Sequence, residues 1–218
     1  MNYVAELRND NAPGLNNVPP NDFKKISGTN LLHHFNFILE FWGDRLNYVE
    51  WQKCQVIPVP KSWDLSDPNK WRGVNLMDIG EKVFRSMMCK ILFKIINLHG
   101  LKYQFVSSPG VGCQDGLFAL MTALHVQHNH NLPTFVAFVD LVKAFNTVYH
   151  GMMIGVLKIY GAPPKLRSAI ARMYADLEIV FKIVKVKAEM KQTIGVRQGY
   201  CMAPVLFLFM MMVFGEIL

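Results

Sequence analysis

The sequence contains few cysteines and none of the cysteine or histidine spacings that hold a structural metal ion. No C-x-x-C pair occurs, and no cysteine lies beside a histidine at metal-ligand spacing. Neither a zinc module nor a disulfide framework is therefore indicated. The cysteines are interpreted as small, apolar residues of a protein kept in a reducing compartment; they are Cys54, Cys89, Cys113 and Cys201.

A secretory leader and a long apolar segment are also missing. Residues 1–20 are polar and rich in Asn and Pro, which is not typical of a signal peptide. The most apolar run, residues 205–214, is shorter than the roughly 20 residues that cross a membrane, and Gly215 and Glu216 interrupt it. We expect an intracellular protein, nuclear or cytoplasmic and not secreted, in which this run is a buried core helix. A membrane-associated α+β protein is the less favoured alternative.

Acidic residues are the scarcer charged type. The chain has 16 Asp and Glu against 23 Lys and Arg, a net charge of +7. The excess is concentrated between residues 51 and 102, where nine basic residues stand against four acidic ones. A positive surface suits a polyanion such as nucleic acid. A folded protein with a high isoelectric point and no such partner has the same charge balance, so charge alone does not decide.

The hydrophobic residues, 51% of the chain, follow both helix and strand periods. Residues 55–59 and 72–76 predict a hairpin, and helices are predicted at 78–99, 114–131 and 164–174. Residues 135–139 read FVAFV, a continuous apolar run typical of a strand buried on both faces. The expected fold class is α+β: an antiparallel sheet with residues 135–139 as a central strand and helices on one face.

Asp140 follows this apolar run directly. An acid at the carboxyl end of a buried strand lies at the sheet edge, where ligands bind in many α/β folds, and it can hold a divalent metal ion. Asp is equally a favoured N-cap residue of helices. Taken alone, Asp140 is more commonly a helix cap than a metal ligand.

Motifs in four parts of the chain make a metal-binding role for Asp140 the favoured interpretation. They are VIPVPK at 56–61 with WRGVNL at 71–76, QF at 104–105 with GCQD at 112–115, FVDLVKAFNTV at 138–148, and GVRQGYCMAPVLF at 195–207. Their order and spacing resemble the reverse transcriptases of non-LTR retroelements and group II introns. Each motif is weak alone, but together they extend over about residues 51–214, which is specific.

The resemblance implies a partial polymerase right hand, made of the fingers and the first part of the palm. It divides the chain into four parts. These are a flexible lead-in at 1–20, a helical N-terminal segment at 21–50, a fingers-like region at 51–130, and a partial palm at 131–218.

The resemblance also implies nucleotide-binding residues. Lys61 and Arg72 would contact the triphosphate of the incoming nucleotide through charge-assisted hydrogen bonds. Phe145 would stack under the sugar and clash with a 2′-hydroxyl, although a core position is the commoner fate of a Phe. Gln198 would lie near the nucleotide and template, and Gly199 would allow a close backbone approach.

The metal site is implied in the same way. Asp140 would be the catalytic, metal-binding aspartate and the Leu141 carbonyl a second ligand of Mg²⁺, the cofactor of the family. The family has two more aspartates in a later aromatic-x-Asp-Asp motif, whereas the printed sequence contains no Asp-Asp pair and has Asn146 where the family usually has Asp. We expect a fragment of a reverse transcriptase that is inactive by itself. The alternative is a non-catalytic, retroelement-derived remnant that binds nucleic acid.

The implied partners are an RNA template, a DNA primer and a dNTP, with no membrane. The apolar helix at 205–214 would lack a covering hairpin, so self-association through this exposed C-terminal helix is a further expectation.

Overall fold

A computed structural model of the protein describes residues 3–45, 49–61, 63–100, 103–107, 110–183 and 186–217. In these ranges the chain forms seven α-helices and four strands, which confirms the α+β class. The helices are α1 (Pro20–Lys24), α2 (Gly28–Trp42), α3 (Ile79–His99), α4 (Cys113–Asn129), α5 (His150–Ile159), α6 (Pro164–Tyr174) and α7 (Met202–Ile217). The strands are β1 (Lys53–Pro60), β2 (Trp71–Leu76), β3 (Leu177–Ile183) and β4 (Val186–Gln192).

The four strands form one mixed sheet in the order β2-β1-β3-β4. The β1–β2 and β3–β4 pairs are antiparallel, and the β1–β3 pair is parallel. The expectation of a purely antiparallel sheet is therefore wrong at its centre. A parallel pair needs a long crossover, and the chain supplies one, since α3 to α6 lie between β1 and β3.

The predicted hairpin forms as β1 and β2, with Gln55 opposite Leu76 and Pro60 opposite Trp71. Only the first half of β1, as far as Val56, also pairs with β3. Pro58 and Pro60 come after that half, where the missing N–H of proline interrupts no pairing with β3. The end of the hairpin is thus free to project away from the sheet.

The main core lies where α3, α5, α6 and α7 meet the start of β1. Leu166 and Ile170 of α6 and Leu206 and Phe209 of α7 are fully buried. The 205–214 run is therefore a core helix, packed against α3 and α5. In the described ranges, no helix combines the length and apolar character needed for a membrane span.

The prediction for residues 135–139 is wrong. This segment is neither strand nor helix, and Phe135 and Phe138 are 94% and 85% exposed. A strand needs a neighbour for its backbone, and the four described strands pair with one another instead. The predicted packing of the 114–131 helix is also wrong, because α4 buries none of its side chains.

Candidate functional site

One cleft of about 530 Å³ lies between the β1–β2 hairpin and three segments from the second half of the chain, which are residues 143–146, strand β3 and residues 192–198. The hairpin contributes Lys61 and Arg72, and the other walls include Phe145, Asn146 and Gln198. Four of the residues singled out from the sequence therefore meet in one place, although more than 100 positions separate the hairpin from Gln198.

The two cations of this cleft are held close together by the strand pairing. Arg72 lies opposite Val59 in the sheet register, and the Lys61 amide donates to Lys70 O at 2.7 Å across the same hairpin. Both side chains are exposed. Lys61 Nζ makes one long contact, 3.3 Å, to Asn69 O. Two open cations on neighbouring strands suit the oxygen atoms of a phosphate chain.

The Gln198 turn is fastened to β2. Gln198 O accepts hydrogen bonds from the Asn75 amide and from Asn75 Nδ2, both at 2.8 Å. Gly199 has φ of +98°, and a Cβ at this position would lie 2.8 Å from Asn75 O. The backbone at Gly199 therefore lies close to the neighbouring strand, and a role of Gly199 beside a nucleotide stays a prediction.

The same turn is bonded on its other side to residues 145–148. The Gly195 amide donates to Val148 O and the Val196 amide to Phe145 O, each at 2.7 Å. Gln198 Nε2 donates to Asn146 Oδ1 at 3.2 Å. The turn thus joins the hairpin to the segment that carries Phe145.

Phe145 packs on the main core and also lines the cleft. Its ring stacks on Phe207 of α7, with centroids 4.8 Å apart and planes at 27°, and it is one of the half-buried residues packed on the main core. It also lines the cleft beside Asn146. The core packing of Phe145 leaves its role against a sugar as a prediction.

Asp140 and Leu141 lie in a second cleft, of about 310 Å³, which shares Ala144 and Phe145 with the first. Asp140 is exposed. The next helical element is the 3-10 turn Ala144–Asn146, whose N-cap is Lys143. Asp140 is therefore not a helix cap, which removes the alternative interpretation of this residue.

The donor set around Asp140 fits magnesium only in part. Among the described residues, no three His, Cys, Asp or Glu side chains come together as a metal site. One carboxylate suits a single Mg²⁺ that also bonds to substrate phosphates. It does not fit the pair of ions used in two-metal phosphoryl transfer.

Several of the basic residues between positions 51 and 102 do not add free positive charge to the surface. Lys53 pairs with Glu178, Lys70 with Asp64, and Lys90 with Glu6. Arg85 is fully buried, and Lys102 lies outside the described residues. The positive surface that the hairpin presents therefore depends mainly on Lys61 and Arg72.

Sequence reasoning missed a group of buried charges. Glu81, Arg85 and Arg197 are each at most 1% exposed. Burial raises the pKa of Glu81, and the two guanidiniums oppose this shift. For Arg85, burial is the largest single influence and lowers the pKa, but Glu81, Tyr200 and Tyr174 together outweigh it and raise that pKa. The one available signal was position, since Arg197 directly precedes Gln198.

Known proteins resemble this chain over most of its length. Residues 57–218 match the family described as "Reverse transcriptase (RNA-dependent DNA polymerase)". The "Retrovirus-related Pol polyprotein from type-2 retrotransposable element R2DM" of Drosophila melanogaster is 22% identical over 197 residues, which are 90% of this chain and 18% of that protein. The "Retrovirus-related Pol polyprotein from type-1 retrotransposable element R2" of Nasonia vitripennis is 26% identical over 178 residues, 79% of this chain and 16% of that protein.

The "Transposon TX1 uncharacterized 149 kDa protein" of Xenopus laevis is 29% identical over 142 residues, 65% of this chain and 11% of that protein. The chain therefore spans no more than 18% of the length of any of these three relatives.

Proposed function

Because this chain belongs to the reverse transcriptase family, as a domain of the non-LTR retrotransposon type, we propose that its 218 residues form the nucleotide-facing part of a retroelement reverse transcriptase. They correspond to the fingers and the first part of the palm. The observation that carries this proposal is the single cleft in which Lys61, Arg72, Phe145 and Gln198 meet.

The cleft residues take complementary roles in holding a nucleotide on its template. Lys61 and Arg72 bind the triphosphate oxygens, and Arg72 can do so in a bidentate way. Phe145 limits the space beside the sugar, which favours a dNTP over a ribonucleotide. Gln198 contacts the nucleotide and template from the opposite wall, where its backbone is fixed by Asn75.

Asp140, with the Leu141 carbonyl, is the metal-binding side of the site. When bound, Mg²⁺ neutralises charge on the phosphates of the substrate. Asp140 would hold it as a single carboxylate ligand, with phosphate oxygens completing the coordination. The chain by itself binds template, primer and nucleotide without joining them, because the one carboxylate of Asp140 cannot hold the pair of metal ions that phosphoryl transfer uses.

Two versions of this proposal differ in what completes the site. In the first, the chain is a fragment whose remaining carboxylates come from a further segment. In the second, it is a retroelement-derived remnant that binds RNA and DNA without catalysis. The expected exposure of the C-terminal helix is wrong, because α7 packs into the main core. Self-association, if it occurs in either case, would use the apolar cleft beside α7 that is lined by Val142, Met152, Met210 and Phe214.

Binding of an RNA–DNA template–primer at two salt concentrations tests the proposal. The same two exposed cations would also contact backbone phosphates of the template–primer. Lys61→Ala/Arg72→Ala should therefore weaken binding and flatten its salt dependence, since each phosphate contact contributes about 0.9 to the log–log slope on B-form duplex. Lys158→Ala/Lys165→Ala removes the same charge from exposed positions on α5 and α6 and is the matched control. Equal losses in both double variants, or binding that ignores salt, would refute the assignment of the cleft.

A further inference from the structure

Three charged side chains outside the proposed contacts are buried together. Glu81 and Arg85 lie one turn apart at the start of α3, and Arg197 belongs to the Gln198 turn. Arg85 Nε donates to Glu81 Oε1 at 2.8 Å, and Arg197 Nη1 lies 3.6 Å from the same oxygen. One carboxylate between two guanidiniums leaves a positive charge in excess, buried from solvent.

The guanidinium of Arg197 is anchored at the base of the hairpin. Nη1 donates to Trp51 O at 3.1 Å and Nη2 to Gln52 O at 3.0 Å. These two carbonyls immediately precede β1. Nη1 also donates to the Tyr200 hydroxyl at 2.8 Å. A single planar group therefore joins the turn to the start of β1, a forked geometry that lysine cannot reproduce.

The next residue, Gln198, is anchored to the other strand of the same hairpin. Its carbonyl accepts from Asn75 of β2. The turn is thus tied to β1 through Arg197 and to β2 through Gln198, and the far end of these strands carries Lys61 and Arg72. The two ties set the distance between Gln198 and the cations.

Stability alone does not explain this cluster, because removing three charged groups from water costs free energy. Buried ion groups often stabilise a fold no better than well-packed apolar residues. The Tyr200 ring offsets part of the excess charge, since it lies 4.6 Å from the Arg85 guanidinium and 5.0 Å from that of Arg197. Unlike apolar residues, the charged groups around Arg197 orient its guanidinium and so fix the direction of its hydrogen bonds.

We propose that Arg197, held by Glu81, is a positioning residue that fixes Gln198 relative to Lys61 and Arg72, so that one nucleotide meets all three. The nucleotide part of this inference rests on the proposed function. The geometric part does not, because it concerns only the link between the turn and the hairpin.

Amide hydrogen exchange in the 218-residue chain tests the geometric part. The reporter is the Asn75 amide, which is bonded to Gln198 O. Arg197→Met should speed its exchange by about tenfold or more while amides inside α6 keep their protection. The matched control is Arg172→Met, since Arg172 also donates to a backbone carbonyl, that of Phe41, but on α6. That variant should leave Asn75 unchanged.

Arg197→Lys separates positioning from charge balance. It keeps a cation beside Glu81 but loses the paired bonds to Trp51 and Gln52, so positioning predicts fast exchange at Asn75 and charge balance predicts wild-type exchange. This variant decides the matter if Arg197→Met does not fold. Wild-type exchange at Asn75 in Arg197→Lys, or equal acceleration in Arg172→Met, would overturn the inference.

Binding of a dNTP with Mg²⁺ tests the nucleotide part on the same proteins. Arg197→Lys should weaken the affinity by about tenfold through lost preorganisation, and Arg172→Met should not change it. Wild-type chain that binds no dNTP would overturn the proposed function and this nucleotide part with it. The exchange of Asn75 would still decide whether Arg197 holds the turn.

Discussion

On one side of the candidate site, the 195–200 turn is hydrogen-bonded to β2 through Asn75 and to residues 145–148 through Gly195 and Val196. On the other side, residues 133–141 form no backbone hydrogen bond with the described part of the chain. The first region is held in place by bonds within the protein, as our proposal requires of a preformed nucleotide-binding wall. The second carries Asp140 on an extended segment whose apolar side chains face solvent.

This difference separates recognition from chemistry. Cations and an anchored glutamine need only the hairpin and the turn, which the chain packs around its own core. A metal site for phosphoryl transfer needs several carboxylates at fixed positions. The segment bearing Asp140 has no backbone hydrogen bond to the described residues, so we expect binding and catalysis to separate in this chain.

The largest effect concerns catalysis. The purified chain should not extend a primer on an RNA template with dNTPs and Mg²⁺, because losing one metal site forfeits several kcal/mol of transition-state stabilisation, on the order of a thousandfold in rate or more. Primer extension followed on a gel measures this directly. Template-dependent extension that Asp140→Ala abolishes would contradict this separation of binding from catalysis. It would show that the chain contains all the carboxylates that catalysis needs.

A second prediction contrasts one buried and one exposed apolar residue. Leu206 of α7 is fully buried and Phe138 is 85% exposed. Leu206→Ala should lower the free energy of unfolding by about 2–5 kcal/mol, whereas Phe138→Ala should change it by no more than about 0.5 kcal/mol. Urea unfolding measures both. A large loss for Phe138→Ala would mean that the 133–141 segment is packed in solution.

A third prediction concerns the backbone of the turn. Gly199→Ala should cost about 1–3 kcal/mol, because an alanine is strained at a φ of +98° and its Cβ would meet Asn75 O. Gly155, inside α5 with open space around it, is the control. Gly155→Ala should stabilise the chain by about 0.5–1 kcal/mol. Similar effects of the two substitutions would show that the turn is not held against β2.

The sequence allowed the hairpin, the core helix at 205–214 and the cleft residues to be predicted, because each depends on a local pattern or on a motif. It did not allow the environment of residues 135–139 to be predicted. FVAFV is typical of a buried strand, but burial depends on a neighbouring strand that no local pattern specifies. The mixed sheet escaped prediction for the same reason, since β1 and β3 are far apart in the chain.

The burial of Glu81, Arg85 and Arg197 could not be predicted for a different reason. Arg85 and Glu81 have the spacing of an ordinary exposed ion pair on a helix, so the sequence predicts that Arg85 is one of the surface cations of residues 51–102. Arg85 is buried against the ring of Tyr200, 4.6 Å away. Such a contact brings together residues more than 100 positions apart, which composition and periodicity do not record.

Amide hydrogen exchange along the whole chain tests the contrast between the two sides most directly. We predict slow exchange at Asn75, Gly195 and Val196, whose amides are bonded, and fast exchange throughout residues 134–141, whose amides are not. Slow exchange in residues 134–141, comparable with that of Asn75, would contradict the account, because it would mean that the segment bearing Asp140 is already paired and held in place.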